Sequence, residues 1–334
     1  MRSRRIQLAL VLGVILVGCA PTQTASPSAS AAPLRPVTLL LGFQPDVQFA
    51  PFYLAQQAGY YAAAGLDVTI QYKSGADLVR LVGDGQAQIG VADATDVMIS
   101  RTAGIPIKYV ATLYDLFPVA LVGPRGGVPA APSGLAGKRI GTPGRYGSSW
   151  HALLAVLNAG GLTAADVTIR EYPQFNQVDG LLRGDVDLIT GFRNNEPLRL
   201  AARGMQVGLM TVERIAPLPG PGMIAGDGLL TSDPALVRAI VAATVRAQVA
   251  IVANPNQGLD AAIVAVPTIA SDRTTALAVL KATIDLWRRA GAAPTGAIDL
   301  AAWASGYQTM RHLGFIDGSV PLDRMTQSLV GAGG

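Results

Sequence analysis

Apolar and polar positions follow the same order in two separate blocks of this chain. From Val37, VTLLL predicts a strand, GFQPDVQFAP a loop, FYLAQQAGYYAAA a helix and GLDVTIQY a second strand. The middle of the chain repeats this order with KRIGT, PGRYGSS, WHALLAVLNAG and GLTAADVTIREY. Each block then continues into an apolar-periodic helix, a Gly-Asp stop, a short strand and a polar loop. Two related α/β lobes with mostly parallel sheets are therefore expected.

The order of these elements also predicts where the lobes begin and end. Residues 36–123 and 223–330 are assigned to lobe one, and residues 124–222 to lobe two. The two crossings are placed in stretches rich in Gly and Pro, at residues 122–132 and 212–222. In parallel α/β sheets the binding crevice lies beyond the carboxyl ends of the strands. Four segments meet that description: residues 42–51, 92–96, 143–149 and 192–196.

The N-terminal segment has the layout of a secretory signal. Three arginines precede an apolar stretch at residues 6–17, which is too short to span a bilayer as a lasting helix. Gly18 is followed by Cys19, the only cysteine of the chain, and this arrangement resembles the lipobox of bacterial lipoproteins. The resemblance implies a signal peptide at residues 1–18, lipidation of Cys19 and attachment to the extracytoplasmic face of the cell membrane. Residues 19–35, with their uncharged Ala, Ser, Thr and Pro, are then expected to form a flexible tether.

Charge and composition narrow the classes of partner. The formal net charge of +4 includes the three arginines of the signal, which leaves about +1 on the mature chain. Nucleic acid is therefore not an expected partner. With a single cysteine and two histidines, neither a disulfide nor a thiolate metal site is expected. A monomer without a cofactor is the expectation.

The loop after the first strand carries the candidate ligand contacts of lobe one. Phe43 and Phe49 can stack on a flat ligand, with packing inside the lobe as the alternative. Gln44, Asp46 and Gln48 offer carboxylate and amide groups to ring N–H and C=O groups. Ordinary turn chemistry beside a proline is the alternative for these three residues.

The corresponding loop of lobe two precedes a helix. Backbone N–H groups at a helix N-terminus attract acceptors or anions, and glycine allows a close approach. The candidates here are Gly144, Tyr146, Gly147, Ser148 and Ser149. Serine capping of the helix is the alternative.

A polar cluster ends the last strand of each block. In lobe two it contains Phe192, Asn194, Asn195 and Glu196, and its counterpart in lobe one contributes Asp93. Asn followed by Pro can simply start a helix, but capping does not require two amides and a carboxylate together. These residues are therefore also predicted to contact the ligand.

Several segments together are similar to a known family. FAPFYLAQQAGYYAAAGLDVTI, GDGQAQIGVADATDVMISRTAGIPIKYVA, LAGKRIGTPGRYGSSWHALL and GFRNNEP resemble solute-binding proteins of ABC importers that are related to thiamine-pyrimidine-precursor synthases. The resemblance covers residues 36–240. It implies a two-lobed type II periplasmic-binding-protein fold of the α/β class, with mixed, mostly parallel sheets and a ligand cleft between the lobes. It also implies a small heteroaromatic ligand, delivered to a membrane permease that an ATPase drives.

Departures from the family pattern affect the expected ligand. Pyrimidine-binding members usually show Asp-Trp-Thr-Pro-Asn-x-Asn-His after the first strand, where this chain has GFQPDVQF at residues 42–49. The loss of an imidazole and the gain of Phe49 favour a larger flat ring, which points to riboflavin. A hydroxymethylpyrimidine-type precursor or another small heteroaromatic nutrient is the alternative. An alkanesulfonate-like anion ranks lower, because only Arg145 and Arg193 suggest a basic cleft.

Classes other than a transport receptor remain open. The synthases that the chain resembles need an additional histidine and clustered cysteines, whereas this chain has only His151, His312 and Cys19. A binding protein is therefore expected rather than an enzyme. A lipoprotein scaffold that binds only protein is the third class.

Overall fold

A computed structural model describes residues 33–73, 75–289 and 291–330 of the chain. The predicted signal, Cys19 and all but the end of the tether lie outside the described residues. Within them, the strands, numbered β1 to β10 in chain order, are Arg35–Leu41, Leu66–Tyr72, Ile89–Ala92, Ile107–Thr112, Val119–Pro124, Arg139–Thr142, Thr168–Glu171, Leu188–Phe192, Val207–Thr211 and Gly222–Gly226. The described α-helices, α1 to α12, are Ala50–Gln57, Tyr60–Ala63, Gly75–Gly83, Ala94–Thr102, Gly147–Ala159, Gln177–Leu182, Glu196–Ala202, Asp227–Ser232, Pro234–Ala253, Pro255–Ala265, Arg273–Leu286 and Leu300–His312.

The strands form two five-stranded sheets with the same topology. Their orders are β2-β1-β3-β10-β4 and β7-β6-β8-β5-β9. In the first sheet β1 pairs in parallel with β2 and β3, and in the second β6 pairs in parallel with β7 and β8. One strand in each sheet, β10 or β5, is antiparallel to both of its neighbours. The predicted α/β class and the mixed, mostly parallel sheets are confirmed, and the repeat seen in the sequence is a repeat of topology.

The first crossing between the sheets lies earlier in the chain than the sequence predicts. Strand β5 pairs with β8 and β9, so residues 119–123, which were assigned to lobe one, lie in the second sheet. The chain passes between the sheets at residues 113–118 and returns at residues 212–221. The Gly- and Pro-rich stretch after β5 is a surface turn within lobe two, in which Gly126 has a φ of 84°. Glycine and proline therefore marked a turn there and not a crossing.

The N-terminal boundary also shifts slightly. Strand β1 starts at Arg35, inside the segment predicted as tether, and Arg35 pairs with Leu66 of β2. Along β2, buried Leu66 and Val68 alternate with the exposed Asp67 and Thr69, as expected for a strand with one face on a core.

The core of lobe one includes the helices that follow β10. Leu39 and Leu41 of β1 belong to one buried cluster with residues of α1, α9, α10 and α11. Helix α9 begins at Asp233, which caps it by accepting from the Leu236 N–H. This helix is long and apolar enough to cross a membrane, with a mean hydropathy of 1.7, but half of that stretch is buried. Its burial against α1 and α10 accounts for its apolar character.

A second apolar cluster joins the two lobes beside the cleft. Val97 and Met98 of α4 belong to it together with Trp150 and Leu153 of α5. The N-terminal ends of α4 and α5 therefore lie close together, although the two helices belong to different lobes. Each follows the carboxyl end of a parallel strand, which places both helix starts at the cleft.

Candidate ligand-binding cleft

A cavity of about 130 Å³ lies between the lobes, where the loops after the strands meet. Most of the residues predicted to contact a ligand line it: Phe43, Gln48, Phe49, Asp93, Tyr146, Gly147, Ser148, Ser149, Phe192, Asn195 and Glu196. The segments predicted to line the cleft also contribute residues that were not named as ligand contacts: Gly42, Ala92, Asp96 and Pro143. The sequence analysis missed the remaining lining residues: Gly75, Val91, Tyr114, Phe175, Gln177, Gly191 and Pro221. Contact of these residues with a ligand stays a prediction.

Two predicted residues of lobe one lie away from the cavity. Gln44 is exposed and borders a separate groove. Asp46 is buried, but its carboxylate faces Arg199 of lobe two, with Oδ2 2.5 Å from Nη2. Its Oδ1 also accepts from the Gln48 N–H at 3.2 Å. Asp46 therefore bonds across the lobes and caps a turn.

Two predicted residues of lobe two also do not line the cavity. The Nδ2 of Asn194 donates to Thr283 Oγ1 of α11 at 2.8 Å, so this amide joins the lobes. Gly144 lies under the ring of Tyr146, where an added Cβ would come within 2.4 Å of a ring carbon. Glycine is required at that position for the ring to pack closely over the backbone.

Aromatic rings from both halves of the chain form much of the wall. The first half of the chain contributes Phe43, Phe49 and Tyr114 to the lining. The middle of the chain contributes Tyr146, Phe175 and Phe192. Phe43 and Phe175 meet edge to face across the cleft, with ring centroids 4.6 Å apart. Phe175 has a φ of 55°, in the left-handed region, within the turn after β7. A fifth loop after a strand was therefore missed, although its Tyr-Pro-Gln-Phe-Asn sequence contains turn-forming residues.

A carboxylate of lobe one caps the helix of lobe two. Asp93 Oδ2 accepts from the Ser148 N–H at 2.8 Å. Tyr146 is the N-cap of α5 and forms no side-chain cap bond, and the hydroxyl of Ser148 has no partner. Serine capping is therefore wrong here, because the cap comes from 55 residues away in the chain.

Asp96 lies beside Asp93 at the same helix start. Burial, together with the neighbouring Asp93 carboxyl, raises the pKa of Asp96 well above its ordinary value, although the Gly147 N–H opposes this. Burial also raises the pKa of Asp93, although the hydrogen bond from the Ser148 N–H opposes that rise. Two carboxyls so close in a dry site favour a shared proton. Asp96 lies in the segment 92–96 that was predicted to line the cleft, although only Asp93 was named there as a ligand contact.

Glu196 forms the polar corner at the end of β8. Its Oε2 accepts from the Phe192 N–H at 2.7 Å, and its Oε1 accepts from Gln177 Nε2 at 3.4 Å. Burial raises the pKa of Glu196 to about 7. The helix-start alternative is partly right, because Asn195 is the N-cap of α7 and Pro197 follows in its first turn, but Asn195 forms no side-chain cap bond.

Three side chains of the lining carry buried polar atoms without a partner. They are Gln48 Oε1, Ser148 Oγ and Gln177 Oε1, each on a residue that is more than nine-tenths buried. Such atoms cost free energy unless a hydrogen bond is made to them. The residues that carry them lie in the same lining as the aromatic wall.

Comparison with known proteins agrees with this geometry. A model of the family described as NMT1/THI5 like matches residues 46–258. The chain belongs to the NMT1/THI5-like family. The riboflavin-binding protein RibY of Chloroflexus aurantiacus is 34% identical, over 97% of this chain and 95% of its own length.

Two further similarities place the family in context. The 4-amino-5-hydroxymethyl-2-methylpyrimidine phosphate synthase THI11 of Saccharomyces cerevisiae is 32% identical over 113 residues, which is 33% of each chain. The CA3427 gene product of Candida albicans has a solved structure with the generic periplasmic binding protein fold. It superposes with a TM-score of 0.66 at 13% identity, over 90% of this chain and 99% of that one. The predicted periplasmic-binding-protein fold is thus confirmed for this NMT1/THI5-like chain.

The two arginines that could make the cleft basic are both ion-paired. Arg145 Nε lies 3.0 Å from Glu171 Oε1, and Arg193 Nη2 lies 3.1 Å from Glu213 Oε2. Neither arginine lines the cavity of this NMT1/THI5-like protein. The guanidinium of Arg145 also lies over the ring of Trp150.

His151 is a structural contact between the lobes. Its Nδ1 lies 3.0 Å from Thr95 Oγ1, and its ring packs edge to face against Phe315. Burial lowers its pKa to about 4, so the imidazole is neutral at physiological pH. His312 lies in the last turn of α12.

Proposed function

We propose that this NMT1/THI5-like protein is the extracytoplasmic receptor of an ABC importer, and that it captures riboflavin and delivers it to the membrane permease. The observation that carries this proposal is the cavity between the lobes, with aromatic rings from both sides of the cleft. An isoalloxazine ring is flat, apolar on its faces and polar at its edges, so such a wall suits it. The similarity to RibY along nearly the whole chain supports the same ligand.

Ligand capture in this cleft requires the lobes to move. Bonds across the cleft hold the described conformation closed, among them Asp93 to Ser148 and Asn194 to Thr283. A ligand that contacts both lobes binds the closed form better, and this differential affinity shifts the open–closed equilibrium. Closure would then present a loaded receptor to the permease.

The predicted lipid anchor completes the proposal. Cys19 lies outside the described residues, and its position after an apolar signal supports attachment to the extracytoplasmic face of the cell membrane. Tethering would keep the receptor close to its permease and to the ATPase that drives it.

Riboflavin titration tests the proposed ligand directly. Stacking on aromatic rings should quench flavin fluorescence when purified protein is added at micromolar concentration, and Phe43→Leu should weaken the quenching. Leu209→Ala, an exposed change on β9, serves as the control and should leave it intact. Unchanged flavin emission with the unaltered protein would contradict riboflavin binding.

A thiamine-type pyrimidine is the second candidate ligand. The similarity to a pyrimidine phosphate synthase favours it, as do the acceptor groups Asp93 and Asp96, which suit an exocyclic amine. Mass spectrometry of small molecules that copurify with the protein separates the two candidates. A pyrimidine without flavin in that sample would favour the second.

We also propose that the protein binds its ligand without chemistry. His151 is neutral, bonded to Thr95 and outside the cavity lining, so it is not placed to react with a bound molecule. Incubation of the protein with no added ligand should therefore form no pyrimidine. A pyrimidine product under those conditions would support an enzyme instead.

A further inference from the structure

The acidic side chains of the cavity have no basic counterpart in the described part of its lining. Asp93, Asp96 and Glu196 line it, and no Lys, Arg or His does so among the described residues. The residues of the wall between these three are apolar, aromatic or uncharged, so little in the cavity screens a charge. A ligand that carried negative charge into this cavity would meet carboxyl groups from both lobes.

The arginines near the cleft are already committed to carboxylates. Arg145 pairs with Glu171 and Arg193 with Glu213, at 3.0 and 3.1 Å. Arg199 of α7 pairs with Asp46 of lobe one. An anion in the cavity would therefore have to compete with these carboxylates for a guanidinium group.

The helix start that could attract an anion is also occupied. The first N–H groups of α5 face the cavity, and such groups usually favour negative charge. Here the Ser148 N–H is taken by Asp93, and the Gly147 N–H lowers the pKa of the neighbouring Asp96. The protein's own carboxyls thus fill the place that a phosphate or sulfonate would use.

The unpartnered atoms of the wall point to the same chemistry. Gln177 donates its Nε2 to Glu196, which leaves Oε1 as an acceptor without a donor. The Oε1 of Gln48 is a second buried acceptor in the lining. Both atoms lack a donor in the described conformation, so a ligand N–H or O–H group that contacted them on closure would offset the cost of their burial.

We propose that this cavity is specific for an uncharged or cationic ligand that donates hydrogen bonds, and that it rejects the phosphorylated form of the same ligand. Asp93 and Asp96 are the specificity-determining residues. This inference rests on the proposed function, because it takes the cleft to be the ligand site. For a flavin it means that riboflavin binds and riboflavin 5′-phosphate does not compete.

A paired titration tests the selectivity. Protein purified after expression of the full chain is titrated with riboflavin and with riboflavin 5′-phosphate, and the phosphate should bind at least about 100-fold more weakly. Added salt should strengthen the residual phosphate binding by screening the repulsion and should leave riboflavin binding nearly unchanged. The salt series needs no variant and so does not depend on a mutant that folds.

A variant assigns the effect to the carboxyl pair. The double variant Asp93→Asn/Asp96→Asn should narrow the gap between the two flavins by about tenfold, since it removes the negative charge that the pair shares but keeps the size of both side chains. Asp84→Asn makes the same change at an exposed site that pairs with Arg80, and it should leave the gap unchanged.

The outcomes separate the two proposals. Equal affinity for both flavins, or phosphate binding that weakens with salt, would overturn the selectivity while riboflavin binding stands. If neither flavin binds, the riboflavin proposal fails, and hydroxymethylpyrimidine and its phosphate are compared in the same way by calorimetry. Preference for the unphosphorylated pyrimidine would support the selectivity, whereas equal affinity, preference for the phosphate or binding of neither would overturn it.

Discussion

Single residues in the cleft serve both the fold and the site. Glu196 accepts from the Phe192 N–H and from Gln177, and it also lines the cavity. Its position after β8 made it a predicted ligand contact, but its bond to the preceding turn was not predictable from residue type. A truncation to Ala would therefore remove a structural bond together with any ligand contact, so a variant that keeps the shape is more informative.

The first prediction uses the raised pKa of Glu196. Its pKa of about 7 in the folded protein lies above the ordinary 4.5, so between these values the folded state binds more protons than the unfolded state. The contribution to stability is present below about pH 4.5 and is lost as the pH rises through about 7. The free energy of unfolding of Glu196→Gln should therefore fall by about 3 kcal/mol less than that of the unaltered protein as the pH rises through this range.

Urea denaturation at about pH 5 and about pH 8 measures the effect. The free energy of unfolding of the unaltered protein should fall more between these conditions than that of Glu196→Gln. Asp93, Asp96 and Asp46 have raised pKa values and contribute in the same direction, which is why the two proteins are compared and not the two pH values alone. Parallel losses in both proteins would show that Glu196 does not titrate in this range.

The second prediction concerns Gly147. This residue has a φ of 70°, and an added Cβ would lie 3.3 Å from Asp93 Oδ2. Gly147→Ala should therefore cost about 1–2 kcal/mol in backbone strain and should weaken ligand binding roughly tenfold by displacing Asp93 from α5. Thermal unfolding and ligand titration measure the two effects.

Gly161 provides the matched control for Gly147. It has the same φ of 70°, but an added Cβ would meet nothing within 4 Å. Gly161→Ala should thus lower the free energy of unfolding through the same backbone strain but leave ligand binding unchanged. Similar affinities for the two variants would mean that the contact of Gly147 with Asp93 is not needed for binding.

At the scale of elements, α7 connects the cavity to the contact between the lobes. Asn195 lines the cavity and accepts from Arg199 one turn further along α7, and Arg199 pairs with Asp46 of lobe one. Burial raises the pKa of Asp46, while the charge of Arg199 opposes that rise. A buried carboxylate that loses its partner is strongly destabilised, by about 3–5 kcal/mol. This ion pair therefore favours closure.

The third prediction removes that ion pair. Arg199→Ala should open the lobes of the unliganded protein, increase the radius of gyration in small-angle X-ray scattering and speed ligand dissociation. Arg203→Ala is the control, because Arg203 pairs with the exposed Asp179 within lobe two. Identical scattering from both variants would show that the Arg199 pair does not hold the lobes together.

At the scale of the whole molecule, the two lobes are related by topology and held together by different contacts. The matching sheet orders explain why one cleft receives loops from both sheets. The shared apolar cluster of α4 and α5 supports the closed form beside the cleft. The tether and anchor lie outside the described residues, and their role remains the proposal made from the sequence.

The fourth prediction tests the anchor. Cells that express the unaltered chain and are fed labelled palmitate should yield a labelled protein in the membrane fraction, whereas Cys19→Ser should be unlabelled and released. Ser26→Ala, a change in the predicted tether, should behave as the unaltered chain. A wild-type protein without label would contradict lipidation at Cys19.

Local sequence patterns were sufficient to predict the helices and strands, the internal repeat and most of the segments that line the cleft. Apolar spacing reports which face of a helix or strand is buried, so the strand–loop–helix order and the loops with Phe43, Gly147 and Glu196 were predictable. The membership of β5 in the second sheet was not, because pairing depends on strands distant in the chain. Phe175 was missed because it lies in the turn after β7, which has no periodicity, and Gln177 because it is only the first residue of α6.

Folding determined the partners of the charged groups. Asp93 caps a helix 55 residues away, and Asp46 faces an arginine 153 residues away. No local rule specifies such pairs, since capping and turn preferences act over a few residues. The sequence therefore predicts that Asp46 and Asp93 lie at a cleft, whereas the packing of the two lobes places Asp46 in a contact between them and Asp93 in the wall of the cavity.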